Sequence, residues 1–172
     1  MSTRLALLRR GPLVLGLVAL VAALIIWALR LPSAPSVSGQ SLSGQVVQTA
    51  ALRDRPYLVH FWATSCVTCV KEMPALVAFH QAFAEKGLET IAVAMSYDRR
   101  EYVEQFVSER GLPFTMVHDL DGRWSEAYGR VGVTPTTFLI DREGRIAKRF
   151  VGEPDFEDLS RWLDRELSRK LS

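Results

Sequence analysis

Hydrophobic and polar positions along the chain fall into three regimes. From Gly11 to Leu29 the residues are apolar almost throughout, and no charge occurs between Arg10 and Arg30. From Leu31 to about Ser43 the chain turns to Ser, Pro and Gly. From about Gln45 onward, short apolar runs of strand type alternate with stretches of helical period. Tyr57 to Trp62 predicts a strand buried on both faces, Leu88 to Met95 a second buried strand and Phe114 to Val117 a third strand. Between them, Cys66 to about Lys86 predicts a helix interrupted near Pro74. Asp98 with Glu101 resembles a capping box opening a helix that ends before Gly111. Trp124 to Tyr128 predicts a short helix. Thr136 to Ile140 and Arg145 to Val151 predict a hairpin around residues 141–144, and an amphipathic helix follows from about Asp155. Strand–helix–strand–helix–strand followed by an antiparallel hairpin and helix predicts an α/β fold, a mixed central sheet with helices on both faces.

The first regime has the length of a membrane span. A helix over Gly11 to Leu29 rises about 28 Å, close to the roughly 30 Å of a hydrocarbon core. A buried core helix is the competing reading, but this segment has no polar face to meet water. Arg4, Arg9 and Arg10 precede the run, Arg30 and Arg53 follow it, and the first acidic residue is Asp54. The positive-inside rule therefore predicts a cytoplasmic N-terminus over residues 1–10 and a single-pass anchor over 11–30. A linker over 31–43 and a domain over 44–172 on the far side of the cytoplasmic membrane complete the organisation. A cleaved secretory signal is the alternative; the apolar run is longer than such signals use, and Pro32 and Pro35 interrupt the small residues after it. The net charge of +2 and the scattered basic residues offer no nucleic-acid footprint.

The chemistry lies in the two cysteines, Cys66 and Cys69, spaced C-x-x-C between a strand and a helix. Half a zinc site is one reading, but His80 and His118 are isolated in sequence and no second pair exists. A structural bridge closing so short a loop would constrain the unfolded chain little. A redox pair fits the placement. Only a thiolate attacks a disulfide, and the unpaired N–H groups of a helix's first turn favour that charged form. Cys66 is then the exposed nucleophile. Cys69, three residues on along the same face, resolves the mixed disulfide. No cofactor beyond this disulfide is expected.

The stretches FWATSCVTCVKEMP (Phe61 to Pro74) and GVTPTTFLIDREG (Gly132 to Gly144) resemble the thioredoxin superfamily, most closely its TlpA/ResA-like, membrane-anchored branch. The resemblance implies a thioredoxin-like fold and thiol–disulfide exchange on extracytoplasmic proteins. It further implies a transmembrane electron donor and substrates among apocytochrome c thiols or copper-delivery proteins of an oxidase. It makes Thr134-Pro135 a cis-proline loop lining the substrate groove, and Glu72 an acidic residue that tunes the thiols; Trp62 is a further substrate-binding candidate, with packing as its competing reading. His60 stands where many thioredoxins carry a buried carboxylate, which makes it a thiol-tuning candidate beside its bland reading as a core residue. Ser65 replaces the family's usual Trp, and Val67-Thr68 contains neither proline nor cation. A reductant is expected, since strong oxidants need an unusually stable thiolate. A non-redox module in which Cys66 and Cys69 hold Cu(I) with a histidine and a thiol peroxidase are the rival classes; the first usually needs a wider Cys spacing and a suitably placed third ligand, and the second lacks its threonine-containing cysteine motif.

Overall fold

A computed structural model describes residues 14–22 and 31–168. Residues 14–22 are helical, and their large apolar side chains are exposed. The rest of the expected anchor lies outside the described residues. Among the described residues, no helix is long and apolar enough to cross a membrane.

The folded unit begins at Ser33. Its centre is a five-stranded sheet of order β5-β4-β3-β6-β7. The strands are β3 (Tyr57–Trp62), β4 (Glu89–Ala94), β5 (Thr115–His118), β6 (Thr136–Ile140) and β7 (Ile146–Val151). β3, β4 and β5 run parallel, whereas β6 and β7 are antiparallel additions beside β3. The helices are α1 (Val67–Ala84), α2 (Arg100–Arg110), α3 (Arg123–Ala127) and α4 (Phe156–Ser168).

β3 is buried at every position, as its continuous apolar run requires of a central strand. Its side chains alternate between faces. Leu58 and Trp62 join Met73, Leu76, Phe79 and Leu163 in a core under α1, α2 and α4, and Tyr57, Val59 and Phe61 join Trp124, Tyr128 and Phe138 on the opposite face. His60 shares its parity with Leu58 and Trp62 and so faces α1. Burying each large side chain contributes about 1.5–3 kcal/mol, which makes these two layers the main source of stability.

Three expectations need correction. Residues 33–43 are not a free linker. Ala34 donates its N–H to Gly144, Val37 is buried, and β1 (Ser38–Gln40) pairs with β2 (Val46–Gln48). Ser41 and Leu42 then reach the edge of β5. The Ser- and Gly-rich composition concealed this because the attachment is made largely by backbone groups, which any residue supplies. Helix α1 is also continuous: Pro74 stands inside it without ending it. Finally, α2 opens at Arg99 with no side-chain cap, and Asp98 turns elsewhere.

Candidate active site

β3 delivers the chain to Ala63, and a short loop through Thr64 and Ser65 carries it to Cys66, which caps α1. Cys66 has extended backbone angles (φ −88°, ψ 104°), as an N-cap position demands. Its sulfur accepts the N–H of Cys69 at 3.2 Å, one of the donors that a helix start leaves unpaired. The two cysteines are joined as a disulfide. Cys66 is half-buried and Cys69 fully buried. An attacking substrate can therefore reach only the first sulfur.

The far wall is the loop before β6. Its Thr134–Pro135 bond is cis, and the Thr134 carbonyl lies 3.5 Å from Cys66 Sγ. Pro135 is buried and accepts the N–H of Gly152 at 2.8 Å, which ties in the loop after β7. A backbone carbonyl beside the exposed sulfur offers an extended peptide a main-chain partner next to the reacting atom.

Beneath the disulfide lies a polar pair. Glu72 is one turn beyond Cys69 on the buried side of α1, and only 2% exposed. Its Oε1 is 3.4 Å from His60 Nε2, with both side chains inaccessible. His60 Nδ1 is 2.9 Å from Thr137 Oγ1 on β6. Burial pushes the Glu72 carboxyl up to about 8, with the negative charge of Glu153 adding to the shift. Burial likewise pushes His60 down to about 4. At neutral pH both groups are thus predominantly uncharged.

Of the residues singled out in sequence, Cys66, Cys69, Glu72, His60, Thr134 and Pro135 converge on one end of β3. Trp62 does not. It is fully buried, its ring centroid 5.0 Å from that of Phe106, and it offers no surface to a substrate. The side-chain alternation that turns His60 toward α1 turns Trp62 into the same core.

Two site residues escaped the sequence reading. Asp98 is buried and accepts both the backbone N–H of Thr64 (2.5 Å) and its hydroxyl (2.7 Å). That anchors the loop leading into Cys66. Tyr97 is exposed and hydrogen-bonds through its hydroxyl to Thr134 Oγ1 at 3.2 Å. Both belong to the loop after β4, which topology places beside β3. Their adjacency in sequence carried no signal of it.

A thioredoxin-like sheet carrying an N-cap cysteine, a buried partner thiol and a facing cis-proline defines a thiol–disulfide exchange protein. The redoxin family profile matches residues 32–163. Over 131 residues the chain is 34% identical to thiol-disulfide oxidoreductase ResA of Bacillus thuringiensis, covering 76% of this chain and 74% of that protein. A thioredoxin-family thiol:disulfide interchange protein from Chlorobium tepidum superposes with a TM-score of 0.72 at 26% identity, over 80% of this chain and 97% of that one. StoA from Bacillus subtilis does so with a TM-score of 0.66 at 26% identity, over 77% and 99%. The chain belongs to the redoxin family, within its TlpA/ResA-like thioredoxin branch. It is a thiol–disulfide oxidoreductase that works through Cys66 and Cys69.

Proposed function

We propose that this domain is held on the outer side of the cytoplasmic membrane by residues 11–30 and reduces disulfides of extracytoplasmic proteins. The observation that carries the exchange chemistry is the half-buried Cys66 sulfur at the helix N-cap with Cys69 sealed behind it. The Cys66 thiolate attacks a substrate disulfide, forms a mixed disulfide and releases one substrate thiolate. Cys69 then attacks Cys66 Sγ. The Cys66–Cys69 bond forms, the mixed bond breaks, and the second substrate sulfur leaves with the electron pair. The substrate gains two electrons and two protons.

The surroundings favour reduction. A strongly oxidising pair needs a cation near its nucleophile to hold the thiolate. Val67 and Thr68 supply none, and the two ionisable side chains beneath the disulfide, Glu72 and His60, are predominantly uncharged at neutral pH. Once pH rises through about 8 and Glu72 ionises, its charge opposes a second negative charge on the sulfurs and so stabilises the dithiol further. Thr134 and Pro135 line the groove, where the Thr134 carbonyl meets the substrate backbone beside Cys66.

A reductant in an oxidising compartment is recharged by an electron carrier spanning the membrane, so a transmembrane donor is the expected partner. The kinship to ResA-type proteins supports apocytochrome c thiols or copper-delivery proteins of an oxidase as substrates. The copper-binding alternative has two sulfurs to offer, and among the described residues no third His, Cys, Asp or Glu joins them as a metal-holding group.

Location and direction are tested together. An alkaline phosphatase reporter fused to the C-terminus is expected to be active, because that enzyme matures only after export. In the same cells, alkylation should find Cys66 and Cys69 predominantly as the dithiol. An inactive, stably accumulated fusion contradicts the orientation. A pair held as disulfide in unstressed cells contradicts the reductive direction.

A further inference from the structure

Buried polar atoms normally find partners, yet His60 Nε2 and both Glu72 oxygens have none within hydrogen-bond geometry among the described residues. They face one another across 3.4 Å with no accessible surface on either side chain. A small rotation of either group would bring them to a normal bond length. An imidazole in the apolar β3 core is costly to bury without partners, and Thr137 Oγ1 satisfies only Nδ1. The other nitrogen is aimed at the carboxyl one helical turn from Cys69.

We propose that His60 and Glu72 act as one unit that holds a single proton between Nε2 and Oε1 and takes up the Cys69 proton during resolution. This deepens the thiol-exchange reading and rests on it. In the resting unit Glu72 carries the proton and Nε2 accepts it. Nδ1 therefore bears the imidazole hydrogen and donates it to Thr137 Oγ1. A protonated carboxyl alone would be a poor base. With Nε2 behind it, Glu72 passes its own proton to His60 while its other oxygen takes the proton from Cys69 Sγ. The Cys69 sulfur bonds to Cys66 Sγ, the Cys66–substrate bond breaks, and the electron pair leaves on the substrate sulfur. The unit then gives one proton, through solvent, to that thiolate and is neutral again. Burial, which disfavours imidazolium, makes the loaded state short-lived. Glu153, exposed on the loop after β7, is the other charge acting on Glu72, and by raising its proton affinity it favours the same resting form. His60 is a positioning residue here, since it reaches the sulfur only through Glu72.

Equimolar dithiobisnitrobenzoate, a symmetric aryl disulfide, separates the steps in the full-length reduced protein. Cys66 attack releases one coloured thiolate, and Cys69 resolution releases the second. In His60→Asn the second phase should slow about tenfold or more, as for loss of a proton-transfer group, while the first changes far less. Glu72→Gln should behave alike. The double variant should be slower than the slower single variant by no more than about twofold, because a unit is lost only once. Nitrogen NMR of the unmodified protein at neutral pH should show His60 neutral with its hydrogen on Nδ1, which tests the unit without a substitution. A second phase in His60→Asn within about twofold of the unmodified protein overturns the proposal. So do losses that multiply in the double variant, or a His60 that is imidazolium or carries its hydrogen on Nε2. Absence of any second phase in the unmodified protein would instead overturn the exchange reading beneath it.

Discussion

The substitution Cys69→Ser should convert this protein from a catalyst into a trap. Cys66 would still attack a substrate disulfide, because its half-buried sulfur and the helix N–H groups that favour the thiolate are untouched. The mixed disulfide would then persist, since the only other cysteine in the chain has been removed. Covalent adducts through Cys66 should accumulate and disappear on adding a small thiol. Catalytic disulfide reduction should fall by on the order of a thousandfold or more, the scale on which enzymes stripped of a nucleophilic group lose activity. Cys66→Ser should lose turnover equally but trap nothing, because Cys69 is fully buried. Gel analysis under non-reducing conditions, on extracts acidified before alkylation, reads both results. Trapping mainly in Cys66→Ser would reverse the assigned roles.

Glu72→Gln should make the oxidised protein more stable at alkaline pH, by on the order of 2–5 kcal/mol near pH 9. The sign follows from proton binding. Glu72 titrates near 4.5 when unfolded and is pushed up to about 8 by burial. Between those values the folded state holds a proton that the unfolded state has lost. The stability tied to that proton is full below about pH 4.5 and is lost as pH rises through about 8. Glutamine keeps a neutral amide there at every pH and removes the alkaline loss. The upper figure is the full shift converted at about 1.4 kcal/mol per pH unit; the lower allows water to reach a carboxylate once it ionises. His60 acts at the opposite end. Its value falls from 6.5 to about 4, so its contribution is present above 6.5 and lost as pH falls through about 4. The two slopes oppose each other between about 4.5 and 6.5. Urea unfolding of the disulfide form, whose cysteines do not titrate, should therefore show a plateau there, an alkaline limb absent in Glu72→Gln and an acid limb reduced in His60→Asn. An unchanged alkaline limb in Glu72→Gln would place that carboxylate in water.

Much of this arrangement was legible before the fold was known. The C-x-x-C pair sits where an apolar run gives way to helical period, and the Thr134-Pro135 loop stands before a second strand-like run. Both features are local, and the structure puts them against each other because β3 and β6 are neighbours. Glu72 was harder. Beside the exposed Lys71 it passes equally well for a solvated helix residue, and its buried partner, His60 from β3, lies twelve positions earlier on another element. Asp98 is deceptive for the same reason. Its spacing to Glu101 imitates a helix cap, whereas its carboxylate is used 34 positions away on Thr64. The β1–β2 hairpin left no trace because three-residue strands at a sheet edge need neither long apolar runs nor β-branched side chains. Of the two readings Trp62 offers, substrate contact or packing, strand alternation decides for packing, because it puts Trp62 beside Leu58 in the core.

The reduction potential of the Cys66–Cys69 pair tests the central claim most directly. Equilibration of the purified protein against glutathione redox buffers, followed by alkylation and mass analysis, gives the value without any assumption about substrate. A pair with no cation in its first helical turn and the carboxyl of Glu72 one turn beyond Cys69 should lie below about −220 mV, in the range of reducing thioredoxin-type proteins. A potential near about −120 mV, that of a strong disulfide donor, would contradict the account and make the protein an oxidant.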